Sequence, residues 1–356
     1  MQLLAASDKI QVDSCSFRVP NIVLVIGESY NKHHSQLYGY DKPTTPRQMA
    51  LQEEGSLVTF TDVVSTWNLT SFVFKHMLSL YAVGDSGEWC DKPLFPEVFR
   101  KAGYHVTFIT NQFQSKANEA VYDFSGGFFL NDPELSQRQF DTRNTRLYPY
   151  DEGMLKEYDK LAKENTDHNL IILHLMGSHL MYKSRYPQKT RKYLTAKMYN
   201  RPELTNKQRM ILADYDNSLR YNDSIVTTVT QRFMDKDAVV IYMPDHGEEM
   251  FDEKPYTYGR NHSANINKRL ARYEMEIPFW IWGSPRYREN HPYGWQAIQN
   301  AKDRPMMVDA LPHLLLSLAG ISTPLYRADL NIISSEYNQK RPRILKGVTD
   351  YNELKK

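Results

Sequence analysis

The sequence predicts an α/β fold with a mostly parallel central sheet covered by helices on both faces. Three observations point there: short apolar runs of strand length, helical patterns between them, and polar residues gathered where the runs end. The runs fall at 22–26, 105–109, 170–175, 238–243 and 277–282. Each is almost continuously apolar, the pattern of a strand buried on both faces rather than one with a wet side. Residues 70–81 place Val73, Met77, Leu80 and Tyr81 at i, i+4, i+7 and i+8, one face of a helix. Helices are also predicted over 93–102 and 307–319, the first opening on Pro93 and both followed by glycine, Gly103 and Gly320. A long polar helix is expected over 207–233, with Asn68 as the N-cap of the 70–81 helix. The stretches 132–169 and 188–205 are polar and tyrosine-rich, and read as excursions on the catalytic side rather than separate domains.

Composition narrows the function. A chain of 356 residues with 41% hydrophobic content can bury a full core, in one large domain or two smaller ones. Lys+Arg number 44 against 42 Asp+Glu, so the concentrated basic excess of a nucleic-acid binder is missing. No stretch approaches the roughly 20 apolar residues that span a bilayer. The first residues lack the basic lead of a signal peptide. Taken alone, this reads as a cytoplasmic protein, or as a soluble part of a longer membrane-anchored chain. Cys15 and Cys90 form either one disulfide or two free thiols.

In an open α/β sheet, ligands collect beyond the carboxyl ends of the strands. Here those ends carry Gly27-Glu28-Ser29, Thr110-Asn111, His174 with Gly177-Ser178-His179, and Pro244-Asp245-His246-Gly247-Glu248. Glu28 alone reads as a cap, and Asp-His-Gly alone as a polar turn. Together, Glu28, Asp245 and His246 offer two oxygens and a nitrogen, a donor set suited to zinc and less so to manganese. Thr70 begins a helix, where the dipole favours phosphate. By itself it is a plain helix-start threonine; beside a metal it becomes an activated nucleophile and a fourth ligand.

The run Asn21-Ile22-Val23-Leu24-Val25-Ile26-Gly27-Glu28-Ser29, then His34 and Leu37-Tyr38-Gly39-Tyr40, resembles the opening of phosphoethanolamine transferase catalytic domains, which belong to the alkaline phosphatase superfamily. The likeness continues through 65–79, Leu173-His174-Leu175-Met176-Gly177-Ser178-His179, Arg185-Tyr186-Pro187, Tyr215-Asp216-Asn217 and Asp245-His246-Gly247-Glu248, in the family's order. It implies an alkaline-phosphatase/sulfatase-like α/β/α sandwich, with 1–20 as a lead-in from a missing membrane domain and 21–356 as a single catalytic domain. It also implies that Glu28, Thr70, Asp245 and His246 hold a catalytic zinc, with room for a second ion. His179 would be catalytic and touch the phosphoryl group or a second zinc, while Asn111, Lys116 and His262 would join it in binding substrate. Thr66 and His76 stand where the family has cysteines flanking the threonine, and Trp67, Asn68 and Leu69 replace its small residues.

The implied reaction moves phosphoethanolamine from phosphatidylethanolamine to lipid A, a core sugar or another envelope glycan through a threonine-linked intermediate. Such a protein modifies lipopolysaccharide from the periplasmic face of the bacterial inner membrane, anchored by an N-terminal transmembrane domain. A monomer with no nucleic-acid partner is expected. Three alternatives compete: a glycerol-phosphate transferase or phosphodiesterase of the same superfamily, a degenerate glycan-binding domain, and a sulfatase. The last would need a Cys/Ser-x-Pro-x-Arg segment, which is missing around Thr70.

Overall fold

A computed structural model describes residues 2–112 and 128–356. Seven strands form its main sheet: β1 Asn21–Gly27, β2 Leu57–Phe60, β3 His105–Thr110, β4 Thr142–Arg143, β5 Asn169–His174, β6 Ala238–Pro244 and β7 Phe279–Gly283, in the spatial order β2-β7-β6-β1-β5-β3-β4. The pairings β1–β5, β1–β6, β3–β5 and β3–β4 are parallel. The fifth predicted run is a strand too, but β7 runs antiparallel to both β6 and β2. The edge strand β2, with only four residues, is too short to stand out in the sequence.

Side-chain alternation along the strands divides the interior into two cores. Ile22, Leu24 and Ile26 of β1 point to one face, where Val73, Phe74 and Met77, Val98 and Phe99, and Leu311 and Leu315 close over them. Val23 and Val25 point to the other, under Leu155, Tyr158, Leu212, Leu219 and Val226. Among the helices are α1 Pro46–Glu53, α2 Thr70–Leu78, α3 Phe95–Ala102, α4 Glu152–Leu161, α5 Asn206–Gln231 and α6 Leu311–Ala319. Helix α2 is shorter than the periodicity implies, since Ser79 turns extended at its end. In α3 the proline near the start is Pro96 rather than Pro93; α3 and α6 end on Gly103 and Gly320 as expected.

Residues 14–15 pair with 321–322, which ties the N-terminal segment to the stretch that follows α6. Cys15 and Cys90 are both free thiols, directed at Ala319 O and Gln2 Oε1.

Two of the blocks that carry the family likeness meet at a buried histidine. His34 Nδ1 lies 2.8 Å from Asp216 Oδ1 on α5, and Nε2 lies 2.6 Å from Asp252 Oδ1. Asp216 also accepts from the hydroxyls of Tyr40 at 2.5 Å and Tyr199 at 2.6 Å. Burial opposes charge on the ring, but Asp252 and Asp216 outweigh it and raise His34 from 6.5 to about 10. A raised histidine pKa stabilises the fold fully below 6.5, and that contribution is lost as pH climbs through about 10. His34→Gln is therefore expected to cost about 3–5 kcal/mol near neutral pH by stranding buried carboxylates. Urea denaturation should show the gap to the parent narrowing between pH 6.5 and 10.

Candidate metal centre

The carboxyl ends of β1 and β6 lie side by side, with Gly27 opposite Pro244, so the residues that follow leave the sheet together. Glu28 and Asp245 therefore emerge next to each other, with His246 one residue on. Helix α2 brings its first residue to the same point. Thr70 Oγ1 lies 2.5 Å from Asp245 Oδ2, 2.9 Å from Glu28 Oε2 and 3.3 Å from His246 Nε2. The four side chains are buried, with Thr70 6% exposed. Residues as far apart in sequence as 28 and 246 thus meet around one hydroxyl.

The donor atoms fit a metal ion. One ligand atom each from Glu28, Asp245 and His246 falls within 4.8 Å of the others. His246 Nδ1 lies 2.8 Å from Gly247 O and donates to it, which turns Nε2 inward, where a metal would take its lone pair by displacing the proton it otherwise carries. Nε2 then faces Glu28 Oε1 and Asp245 Oδ2, each at 3.0 Å. Three acceptors at that spacing need a proton or a cation among them.

The charges carry the same message. Burial and the Arg260 guanidinium work against charge on the His246 ring, yet Asp245 and Glu28 lift it to about 10. Burial and the neighbouring Glu28 carboxylate push Asp245 up to about 6, whereas His246 holds Glu28 well below the usual carboxylate range. Two buried carboxylates sharing a site favour positive charge between them.

The supporting residues hold this arrangement from several sides. Ser29 adopts a φ of +54°, its N–H donating to Asp245 Oδ1 at 3.2 Å and its hydroxyl to Glu28 Oε1 at 2.8 Å. Gln112 Nε2 donates to Glu28 Oε2 at 3.1 Å and to Leu175 O at 2.8 Å. Gly177 sits at φ +55° against Glu28, where a Cβ would come within 2.9 Å of Glu28 N. Gly247 N donates to Glu274 O at 2.8 Å on the π-helical turn Ala271–Met275. A Cβ on Gly247 would run into Tyr273 O, a backbone atom that cannot swing aside. Gly247→Ala should therefore lower the unfolding free energy by about 1–3 kcal/mol and reduce bound metal; chemical denaturation and elemental analysis check both.

The other predicted residues divide. His179 is half-buried, and its Nδ1 lies 2.7 Å from Leu180 O. Burial lowers its pKa and keeps the ring neutral, with Nε2 as acceptor. Asn111 is buried, and both ends of its amide are engaged within the protein. Its Nδ2 donates to Asp151 Oδ1 at 2.9 Å and its Oδ1 accepts from Tyr148 N at 2.7 Å. Asp151 in turn accepts the N–H groups of Met176 and Gly177, each at 2.9 Å, so Asn111 shapes the loop behind Glu28. His262 is lowered to about 4 by burial and by Arg260, and its carbonyl accepts from Lys346 Nζ at 2.6 Å. Lys116 lies outside the described residues. Asn68 does not cap α2. The N-cap position is Leu69, and Asn68 Nδ2 donates instead to Glu274 Oε1 at 3.0 Å.

Arg260 and Gln112 are the residues at this centre that the sequence did not single out. The Arg260 guanidinium lies 2.7 Å from His246 Nε2, 2.9 Å from Asn68 O and 3.1 Å from Glu248 Oε1. Arg260 sits two residues before His262 in the same segment, and nothing in its spacing marks it. Gln112, one residue past Asn111 at a strand end, had that position as its only signal. Thr66 and His76, on either side of Thr70, meet directly: His76 Nδ1 lies 3.1 Å from Thr66 Oγ1.

Comparison with known proteins follows this geometry. Residues 20–321 match the family model described as Sulfatase. A phosphoethanolamine transferase EptC of Escherichia coli O18:K1:H7 (strain RS218 / NMEC) is 30% identical over 323 residues, which cover 89% of this chain and 54% of that protein. A phosphoethanolamine transferase EptA of Helicobacter pylori is 32% identical over 276 residues, covering 76% of this chain and 49% of the relative. The chain thus spans about half the length of the curated relatives it matches. The C-terminal periplasmic domain of EcEptC from Escherichia coli, solved in complex with Zn, superposes with a TM-score of 0.81 at 27% identity, covering 97% of this chain and 96% of that one.

Proposed function

The chain belongs to the sulfatase family, and on that premise we propose that it is the catalytic part of a zinc-dependent phosphoethanolamine transferase with Thr70 as nucleophile. The observation that carries this reading is the convergence of Glu28, Asp245 and His246 on the Thr70 hydroxyl. A threonine in that position, followed by Ser71-Phe72-Val73-Phe74, has none of the Pro and Arg of the sulfatase segment. Relatives named as phosphoethanolamine transferases support the group transferred.

Glu28, Asp245, His246 and Thr70 would hold zinc, which supplies Lewis-acid charge to lower the pKa of an alcohol and offset phosphoryl charge. Asp245 Oδ2 and Glu28 Oε2 orient the Thr70 hydroxyl towards the donor phosphorus. The Thr70 Oγ1–P bond forms, the bond from phosphorus to the glycerol oxygen of phosphatidylethanolamine breaks, and the Thr70 proton ends on departing diacylglycerol. In the second step an acceptor hydroxyl or phosphate oxygen attacks phosphorus, and Thr70 Oγ1 regains a proton. His179 Nε2 accepts and returns the proton in these exchanges. Arg260 and Lys116 offset charge on the non-bridging oxygens, and His262 lines the substrate side. Asn111 acts by shaping the Glu28 loop.

The acceptor is a lipid A, core-sugar or other envelope-glycan group, and the domain works at the periplasmic face of an inner membrane. No helix among the described residues is long and apolar enough to cross a membrane. The zinc-loaded protein is expected to release diacylglycerol from phosphatidylethanolamine in mixed micelles and to stop when chelated. Cleavage of an aryl sulfate ester with no diacylglycerol release would overturn the reading.

A further inference from the structure

A cavity of about 530 Å³ opens between α4, α5 and residues 188–193, and shares no lining residue with the metal centre. Six of the side chains around it are cations and only two are carboxyls, in a chain whose formal net charge is only +2. Arg232 is matched by Asp159 at 2.8 Å. Arg47, Lys156, Lys189, Lys192 and Arg220 make no ion pair among the described residues. Gathering that many unmatched cations around one concavity raises their mutual repulsion, which a bound anion relieves.

The walls are built before any ligand arrives. Asn217 on α5 accepts from Leu194 N at 3.1 Å and donates to Leu194 O at 2.8 Å, which fixes the basic segment against the helix. Arg220 Nη1 donates to Pro43 O at 2.7 Å, and its guanidinium lies 4.6 Å from the centre of the Tyr193 ring. Cation and aromatic face are thereby presented as one unit.

The remaining lining says which anion fits. The volume far exceeds one phosphate group and falls in the range of small-molecule sites. Buried Leu155 and Ile225 contribute apolar surface, and the rings of Tyr193 and Tyr221 offer flat faces. Glu152 and Thr190 add hydroxyl-binding oxygens. Asp223 is already satisfied by the N–H groups of Arg47 and Gln48, each at 2.9 Å.

We propose that this cavity binds a phosphorylated saccharide, with its phosphate among Lys189, Lys192 and Arg220 and its ring against Tyr193. The inference goes beyond the transfer reaction and stands apart from it, because binding is read without turnover. Titration calorimetry on the whole protein would compare glucose 6-phosphate, glucose, inorganic phosphate and vesicles of phosphatidylglycerol. Glucose 6-phosphate is expected to bind at least about tenfold more tightly than glucose or phosphate. A Lys189→Gln/Lys192→Gln variant should lose about tenfold in affinity, and Tyr193→Ser should weaken the sugar phosphate more than it weakens phosphate. Binding should be the same with and without a chelator, which separates this site from the metal centre. Equal binding of phosphate and sugar phosphate, affinity unchanged in the lysine variant, or binding to vesicles alone would each overturn the proposal.

Discussion

Thr70→Ala is expected to abolish the covalent intermediate and to lower turnover by at least about 10⁴-fold. The change removes one hydroxyl from the first turn of α2, and the helix itself does not depend on it: Leu69 is the N-cap residue, and no side-chain cap bond is made. Val73, Phe74 and Met77 still anchor the helix in the core, so the fold should survive. The expected loss is thus of chemistry rather than of structure. Mass spectrometry after incubation with phosphatidylethanolamine should find a phosphoethanolamine adduct on the Thr70 peptide of the parent and none in the variant. Thr70→Ser keeps an oxygen at the same place and should retain part of the activity. An adduct that persists in Thr70→Ala would move the nucleophile to Thr66 or Ser71 and sink the assignment.

The second large effect concerns Asp245. This carboxylate faces Thr70 and His246 through Oδ2, and its Oδ1 accepts the N–H groups of Ser29 at 3.2 Å and His246 at 2.8 Å. Asp245→Asn keeps the Oδ1 acceptor, and with it the loop, but puts an uncharged amide where the metal ligand stood. Zinc content and turnover should both collapse, the latter by about 10³-fold or more. Stability separates this from simple unfolding. Zinc at a thousandfold excess over its Kd should stabilise the parent by about 4 kcal/mol and the variant by far less. In a chelator the order should close or reverse, because the substitution relieves the repulsion between two buried carboxylates. Equal zinc-induced shifts in Tm for parent and variant would show that Asp245 is no ligand.

Much of this was legible in the chain, for a physical reason. Strands buried on both faces must be apolar along their length, so the runs at 22–26, 105–109, 170–175 and 238–243 announce β1, β3, β5 and β6 within a residue or two. Polar residues at the ends of such runs cannot be core, which made Glu28, Asp245 and His246 visible as a set. Direction is not encoded in apolarity, so the antiparallel course of β7 was not legible. Nor was the partner of a polar side chain. Asn68 has the chemistry of a cap, yet its amide is drawn to the buried Glu274 carboxyl, which burial pushes up to about 8. Arg260 is one of 44 basic residues, and only the folded chain lays it against His246.

The contact between Thr66 and His76 bears on how this domain is made. A hydrogen bond joins the residues on either side of Thr70, and both cysteines are free thiols whose pKa values burial raises. Folding of this segment then waits on no bond between Cys15 and Cys90. Thiol reagents at millimolar strength should leave the segment around Thr70 in register.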